Sequence, residues 1–156
     1  MACAISLFTW RCNFMTLIID EGTIKKYNDY YFSIHTKAKK EPIKQPYHES
    51  INQWMILKRP MMNTLKQRWK AFTSWFIEDQ GYSNLLIERC RMTFCVYYPT
   101  NRRHDPDNTV PKFILDGMVE SGFIVDDDMN HIRSLTLACD VDTQRPRTEI
   151  NITILE

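Results

Sequence analysis

Residues 86–128 read LIERCRMTFCVYYPTNRRHDPDNTVPKFILDGMVESGFIVDDD. Within 86–98 polarity alternates. Cys90, Met92, Phe94, Val96 and Tyr98 fall to one side, Arg89, Arg91, Thr93, Cys95 and Tyr97 to the other. A period of two over this length predicts a strand with one buried face, and Pro99 ends it. Pro111 stands at or next to a helix start, where its missing N–H costs little. Ile114 with Met118 and Leu115 with Val119 make apolar i, i+4 pairs, and Gly122 supplies the stop. The apolar FIV at 123–125 predicts a short buried strand. Strand, acidic loop, helix and strand form the centre of the fold.

Before this stretch, a helix is expected after Pro60, capped by Asn63 or Thr64 and stopped by Gly81. Leu65, Trp69, Phe72 and Phe76 recur at helical spacing. Residues 21–60 are polar, basic and aromatic with no clean period, and are expected to form a long loop around a short strand or turn. The TLIID at 16–20 reads as a first strand. Beyond 128, Leu135, Leu137, Cys139 and Val141 alternate with polar residues, as do Ile150, Ile152 and Ile154 after the turn TQRP. These two runs are expected to pair as an antiparallel hairpin with one wet face. The expected architecture is one α+β domain over residues 15–156, a mixed sheet packed by two main helices on one face. Residues 1–14 are expected to be an added extension, with Met15 as the native start.

The chain has 156 residues, enough for one core. Hydrophobic residues are 44%, Gly numbers 4 and the net charge is +1, which excludes disordered, collagen-like and coiled-coil chains. The apolar-rich stretch at 5–19 is interrupted by Arg11 and Asn13, so no membrane span is expected. Five Cys without a CxxC pair give neither a disulfide framework nor a zinc site. Cys90 and Cys139 read as small core residues in a reducing, cytoplasmic setting. The balanced charge hides a split. Residues 1–100 hold 14 basic and 8 acidic side chains, residues 101–156 hold 6 and 11, and residues 25–70 alone hold 11 and 3. A basic surface for a polyanion beside an acidic cluster accounts for it. Uneven surface decoration would as well.

The acidic cluster carries the chemistry. Asp105 and Asp107 stand two apart just past a strand, and on an extended backbone such side chains share a face. Two carboxylates held together repel unless a cation lies between them. Oxygen donors select a hard ion, Mg²⁺ with Mn²⁺ as a substitute. Asn108 suits an Asx-type turn. One of Asp126, Asp127 and Asp128 can complete a metal shell if the two acidic segments adjoin, a set suited to in-line attack of metal-bound water on a phosphodiester. Lys112, at the helix mouth, can neutralise charge developing on the phosphate, or simply pair with Asp116. Arg102 and Arg103 suit flanking phosphates. His104 reads as a surface or phosphate contact, and Lys66 and Lys70 as either ordinary solvated charge or a DNA-facing surface on the first half of the first long helix. An EF-hand fails at Val110, where Gly is required, and no P-loop, GxSxG or HExxH occurs.

RRHDPDN, Lys112 and Asp116 in KFILDGM, and SGFIVDD together resemble the RusA-like Holliday junction resolvases, small endodeoxyribonucleases common in phages and prophages. The resemblance is strongest over residues 85–156. Earlier, GTIKKYNDYY looks like the family's N-terminal strand and Asn-containing loop. The resemblance implies a Mg²⁺-dependent homodimeric nuclease that cuts four-way or other branched DNA, acting in the bacterial host cytoplasm if phage-encoded. Asp105, Asp107 and Asp127 match the family's metal carboxylates. Lys112 matches its catalytic lysine, one residue further from DxDN than in the family's form. Two rival readings stand beside it: a non-catalytic, structure-selective DNA-binding module that retains the fold, and a nuclease of the same chemistry acting on flaps or forks.

Overall fold

The computed structural model describes residues 13–156. Its elements run β1 (Phe14–Asp20), α1 (Glu21–Ile34), α2 (Ile51–Trp54), α3 (Arg59–Asp79), β2 (Cys90–Tyr98), α4 (Lys112–Glu120), β3 (Ile132–Val141) and β4 (Arg147–Ile154). The four strands form one mixed sheet in the order β1-β4-β2-β3. β4 is antiparallel to both β1 and β2, and β3 runs parallel to β2. This is the α+β, single-core arrangement expected. Residues 1–12, with Cys3 and Cys12, lie outside the described residues, and Phe14 already pairs with Thr153.

β2 organises the core. Its Cys90, Met92, Phe94, Val96 and Tyr98 are buried, and Leu17, Ile19, Ile150 and Ile152 continue that face on β1 and β4. α3 covers it with Trp69, Phe72, Phe76 and Ile77, α4 with Phe113, Ile114, Leu115 and Met118. The other face of the sheet is polar, as where the Thr16 hydroxyl donates to Asn151 Oδ1 at 2.8 Å.

Five local expectations need correction. Residues 21–34 form a helix, not a loop, so GTIKKYNDYY is neither strand nor loop. A capping box starts this helix: Asp20 Oδ1 accepts from the Thr23 N–H at 3.0 Å, and Thr23 Oγ1 accepts from the Asp20 N–H at 3.4 Å. Its buried face is only Ile24, Tyr27 and Asn28, too narrow to mark a period among charged neighbours. Tyr27 sets its ring edge-on to Phe72, with centroids 5.1 Å apart. Secondly, α3 is capped at Lys58, not Asn63 or Thr64, because Pro60 fits its first turn. Its stop is as expected: Gly81, at φ +80°, takes a left-handed conformation.

Thirdly, 123–125 is not a strand. Phe123 and Ile124 are buried, but the segment makes a single parallel bridge, Ile124 with Ile87. Fourthly, β3 and β4 do not form a hairpin; they flank β2 on opposite edges. Alternation fixes which face a strand buries, not which strand lies beside it. The turn between them is built by Asp142, whose Oδ1 accepts from the Gln144 and Arg145 N–H groups at 3.1 and 2.9 Å. Asp142 Oδ2 receives Arg147 Nη1 at 2.8 Å. Fifthly, Cys139 is half-buried because β3 is an edge strand that the helices only partly cover.

α3 and α4 pack closely at Gly117, where an added Cβ would lie 2.5 Å from Thr73 Cβ. Gly117→Ala should therefore force the helices apart and cost about 1–3 kcal/mol, measured by urea unfolding. Gly81→Ala, where nothing lies within 4 Å of an added Cβ, is the backbone control.

Candidate active site

The chain leaves β2 at Tyr98 and Pro99 and runs exposed through Arg102, Arg103 and His104. The His104 ring lies flat on Tyr98, with centroids 3.6 Å apart and planes 2° from parallel. Asp105 is extended (φ −100°, ψ 125°), but Pro106 opens a 3₁₀ turn over Pro106–Thr109. The shared extended face expected for Asp105 and Asp107 is therefore absent, because the proline-started turn bends the chain between them. The Asn108 N–H donates to the Asp105 carbonyl at 3.0 Å. Its side chain makes no hydrogen bond among the described residues, so the expected Asx-type turn does not form and the backbone 3₁₀ turn takes its place. Thr109 is buried and its hydroxyl donates to the Pro106 carbonyl at 2.6 Å. Val110 and Pro111 then lead into α4.

Lys112, the first residue of α4, gathers the second acidic segment. Its Nζ donates to Asp116 Oδ1 at 2.9 Å and to Asp127 Oδ2 at 3.0 Å. Partial burial opposes the charge of Lys112, but the hydrogen bonds it donates to both carboxylates, with their charges, outweigh it and raise its pKa above the ordinary lysine value. Lys112 is thus a fixed cation. The neighbours of Asp127 have other tasks. Asp126 Oδ1 accepts from the Asp127 N–H at 2.7 Å. Asp128 Oδ1 accepts from the His131 ring at 2.6 Å and from the Asn130 N–H at 2.9 Å. The His131 hydrogen bond leads the causes that hold Asp128 below the usual carboxylate range. Only Asp127 of the three reaches Lys112.

α3 adds two cations to this cluster. Lys70 meets Glu120 at 2.6 Å, and Lys66 Nζ lies 3.3 Å from Asp116 Oδ2. That oxygen is buried and accepts no hydrogen bond. The Lys66 contact is a charge–charge attraction without hydrogen-bond alignment, so this oxygen retains acceptor capacity. Arg103 is 3.5 Å from Asp105 with 90% of its side chain exposed, a loose pair. Among the described residues, no group of three or more His, Cys, Asp or Glu side chains is drawn close enough to hold a metal ion. Asp105, Asp107, Asp116 and Asp127 offer only carboxylate oxygens, a donor chemistry that fits a hard divalent cation. The structure thus joins Lys112 to Asp116 and Asp127, leaves Arg102 and His104 without an ion pair among the described residues, and sets Lys66 and Lys70 against α4 carboxylates.

Sequence reasoning passed over His48, placed inside an expected loop. It is 6% exposed. Its ring stacks on Trp69 at 5.4 Å and touches Phe113 at 5.0 Å. Nδ1–H donates to the Glu49 carbonyl at 2.6 Å, and Nε2 accepts the Phe113 N–H at 3.3 Å. His48 thereby satisfies one of the unpaired amides in the first turn of α4, next to Lys112. Trp69 Nε1 donates to Glu49 Oε2 at 2.6 Å and pins the same segment to α3. Only a neutral imidazole can both donate and accept here. The HES triplet at 48–50 carries no sequence signal for this role.

The chain is a small α+β protein with an acidic loop after β2 and a lysine at the mouth of α4 that bridges two carboxylates, Asp116 and Asp127. Comparison with protein-family models matches residues 16–153 to Endodeoxyribonuclease RusA, and the chain belongs to that family. Membership implies a Holliday-junction-resolving endonuclease, in a family that is generally divalent-metal dependent. A search of curated proteins found no match. No helix among the described residues is long and apolar enough to cross a membrane.

Burial pushes the His48 pKa down to about 4, against the Glu49 carbonyl and the Asp116 charge, which favour protonation. The unfolded chain takes up this proton first as pH falls below 6.5, so the stability His48 provides is whole above 6.5 and is lost on going down toward about 4. The loss should approach roughly 3 kcal/mol, read from urea midpoints across that window. His48→Gln should be less stable at neutral pH and show a flatter dependence.

Proposed function

We propose that the protein is a Mg²⁺-dependent endodeoxyribonuclease that resolves Holliday junctions as a homodimer, each subunit cutting one strand. The carrying observation is the Lys112 bridge, which ties the acidic turn at 126–128 to the helix mouth directly after the DPD loop. Asp105, Asp107 and Asp127 would hold the cation. When bound, it supplies Lewis acidity toward the phosphate and an activated water. Lys112, which keeps Asp116 as a hydrogen-bond partner when Asp127 turns to the cation, stabilises negative charge growing on the phosphate. Arg102 and Arg103 receive the flanking phosphates.

DNA affinity comes from basic residues left without an ion pair among the described residues: Lys37, Lys39, Lys40 and Lys44 after α1, and Lys58, Arg59 and Arg68 on α3. Lys66 and Lys70 reach DNA when their α4 partners release them. Most of these contacts are to the backbone, so binding should weaken steeply with salt.

A second reading is a structure-selective DNA-binding module without catalysis. The engagement of Asp127 by Lys112 favours it, since a metal-bound Asp127 would have to leave that hydrogen bond. Incubation with a synthetic four-way junction separates the two. The enzyme should cut in Mg²⁺ and not in EDTA, whereas a module binds equally in both and never nicks. Flap and fork substrates run alongside test the preference for junctions.

Asp107→Asn and Asp127→Asn should abolish cleavage in Mg²⁺ and leave junction binding in EDTA intact. Lys112→Met should lower the cleavage rate by about 10²–10³-fold, with binding within a few-fold of the parent. Cleavage at the parental rate by either Asp variant rejects the mechanism.

A further inference from the structure

Two cavities meet at one aromatic pair, Tyr98 and His104, and the smaller of them is also lined by Asp105. The larger, about 340 Å³, is lined by Gln45, Tyr47, Gln53, Tyr98, Arg102 and His104 among others. The smaller, about 220 Å³, shares Tyr98 and His104 and adds Asn52, Asp105 and Asn108. We propose that this cleft is a nucleobase subsite. It takes one unstacked base of the branched DNA, close to the phosphate that is cut, and sets the base preference of cleavage. The inference rests on the DNA-cleaving reading above and deepens it.

The platform is built. Tyr98 is 7% exposed and fixed in β2. His104 lies parallel to it at 3.6 Å, and Tyr47 meets Tyr98 at 63° with centroids 4.9 Å apart. A lone exposed histidine would sample several rotamers, whereas one stacked on a buried tyrosine presents a fixed aromatic surface. Any base has a π-face to lay against it.

The edges are built for hydrogen bonding. Four carboxamides line the two cavities, each offering a donor and an acceptor. Gln53 spends its Oε1 on the Ser50 N–H at 2.9 Å. The side chains of Gln45, Asn52 and Asn108 make no hydrogen bond among the described residues. Unspent amides beside an aromatic plane match the mixed donor and acceptor edge of a base. A paired base hides that edge inside the duplex, so the occupant is an unpaired or extruded one. The position agrees: His104 immediately precedes Asp105, and Arg102 and Arg103 stand at the rim for the phosphates on either side.

The test is a thermodynamic cycle in EDTA, independent of cleavage. Four-way junctions carrying an abasic site at each nucleotide around the crossover are titrated with parent and His104→Ala protein. At one position the abasic site should weaken parental binding about five- to a hundredfold. His104→Ala should weaken the intact junction by a similar factor and the abasic junction hardly at all. His104→Phe, which keeps a stacking ring, should restore the parental pattern. Gln45→Ala should level affinities among the four bases at that position. Additive effects of His104→Ala and the abasic site, in protein that still binds junctions, overturn the subsite alone. Parental protein that binds no junction overturns the functional reading and the subsite together.

Discussion

The close packing of α4 on α3 is the constraint on which the candidate site depends. It is possible because residue 117 has no side chain to collide with Thr73. Phe113, Ile114, Leu115 and Met118 then sink into the same core as Trp69, Phe72 and Phe76. Once the apolar side of α4 is committed, its first residue and its Asp116 and Glu120 have little freedom. Lys112 is delivered to the end of the acidic loop, and Asp116 is turned toward Lys66. The hydrophobic core thus chooses the orientation of charges that contribute little stability themselves, since exposed or half-exposed ion pairs are weak.

The charges around α4 are balanced in pairs. Lys112 bridges Asp116 and Asp127, Lys70 holds Glu120, and Lys66 lies against Asp116. On the proposed function, a phosphate arriving there would compete for the lysines, and a cation for the carboxylates. Either arrival releases a partner for the other, so anion and cation should reinforce one another's binding. His48 supports the arrangement from beneath by capping the α4 turn through Phe113. As a buried neutral ring it adds no charge of its own.

Much of this was legible in the chain, for identifiable reasons. β2 carries a strict period of two, and α3 and α4 carry apolar spacings and glycine stops that few other structures satisfy. The DPDN, Lys112 and DD segments declared the family because their combination and spacing are specific. What escaped left no periodic mark in the sequence. Asp20 and Thr23 cap a helix whose buried face is three residues wide, so α1 looked like a loop. The apolar rows of β3 and β4 are genuine, but each pairs with β2, and alternation says nothing about neighbours. The bend at Pro106 replaced an extended chain with a 3₁₀ turn, and with it the expected shared face of Asp105 and Asp107.

The strand order has a consequence for how the molecule assembles. Among the described residues, β1 pairs only with β4, which lies about 130 residues further along the chain. β3 and β4 cannot zip together as they emerge, because β2 stands between them. Each must find an edge of β2, and β4 must also capture β1. The sheet therefore closes late, through contacts of high sequence separation, and its formation should be slow beside that of a helical bundle of similar length. Until closure, the apolar face of β1 lacks the strand it pairs with, so the half-made chain carries its greatest risk of association at that segment.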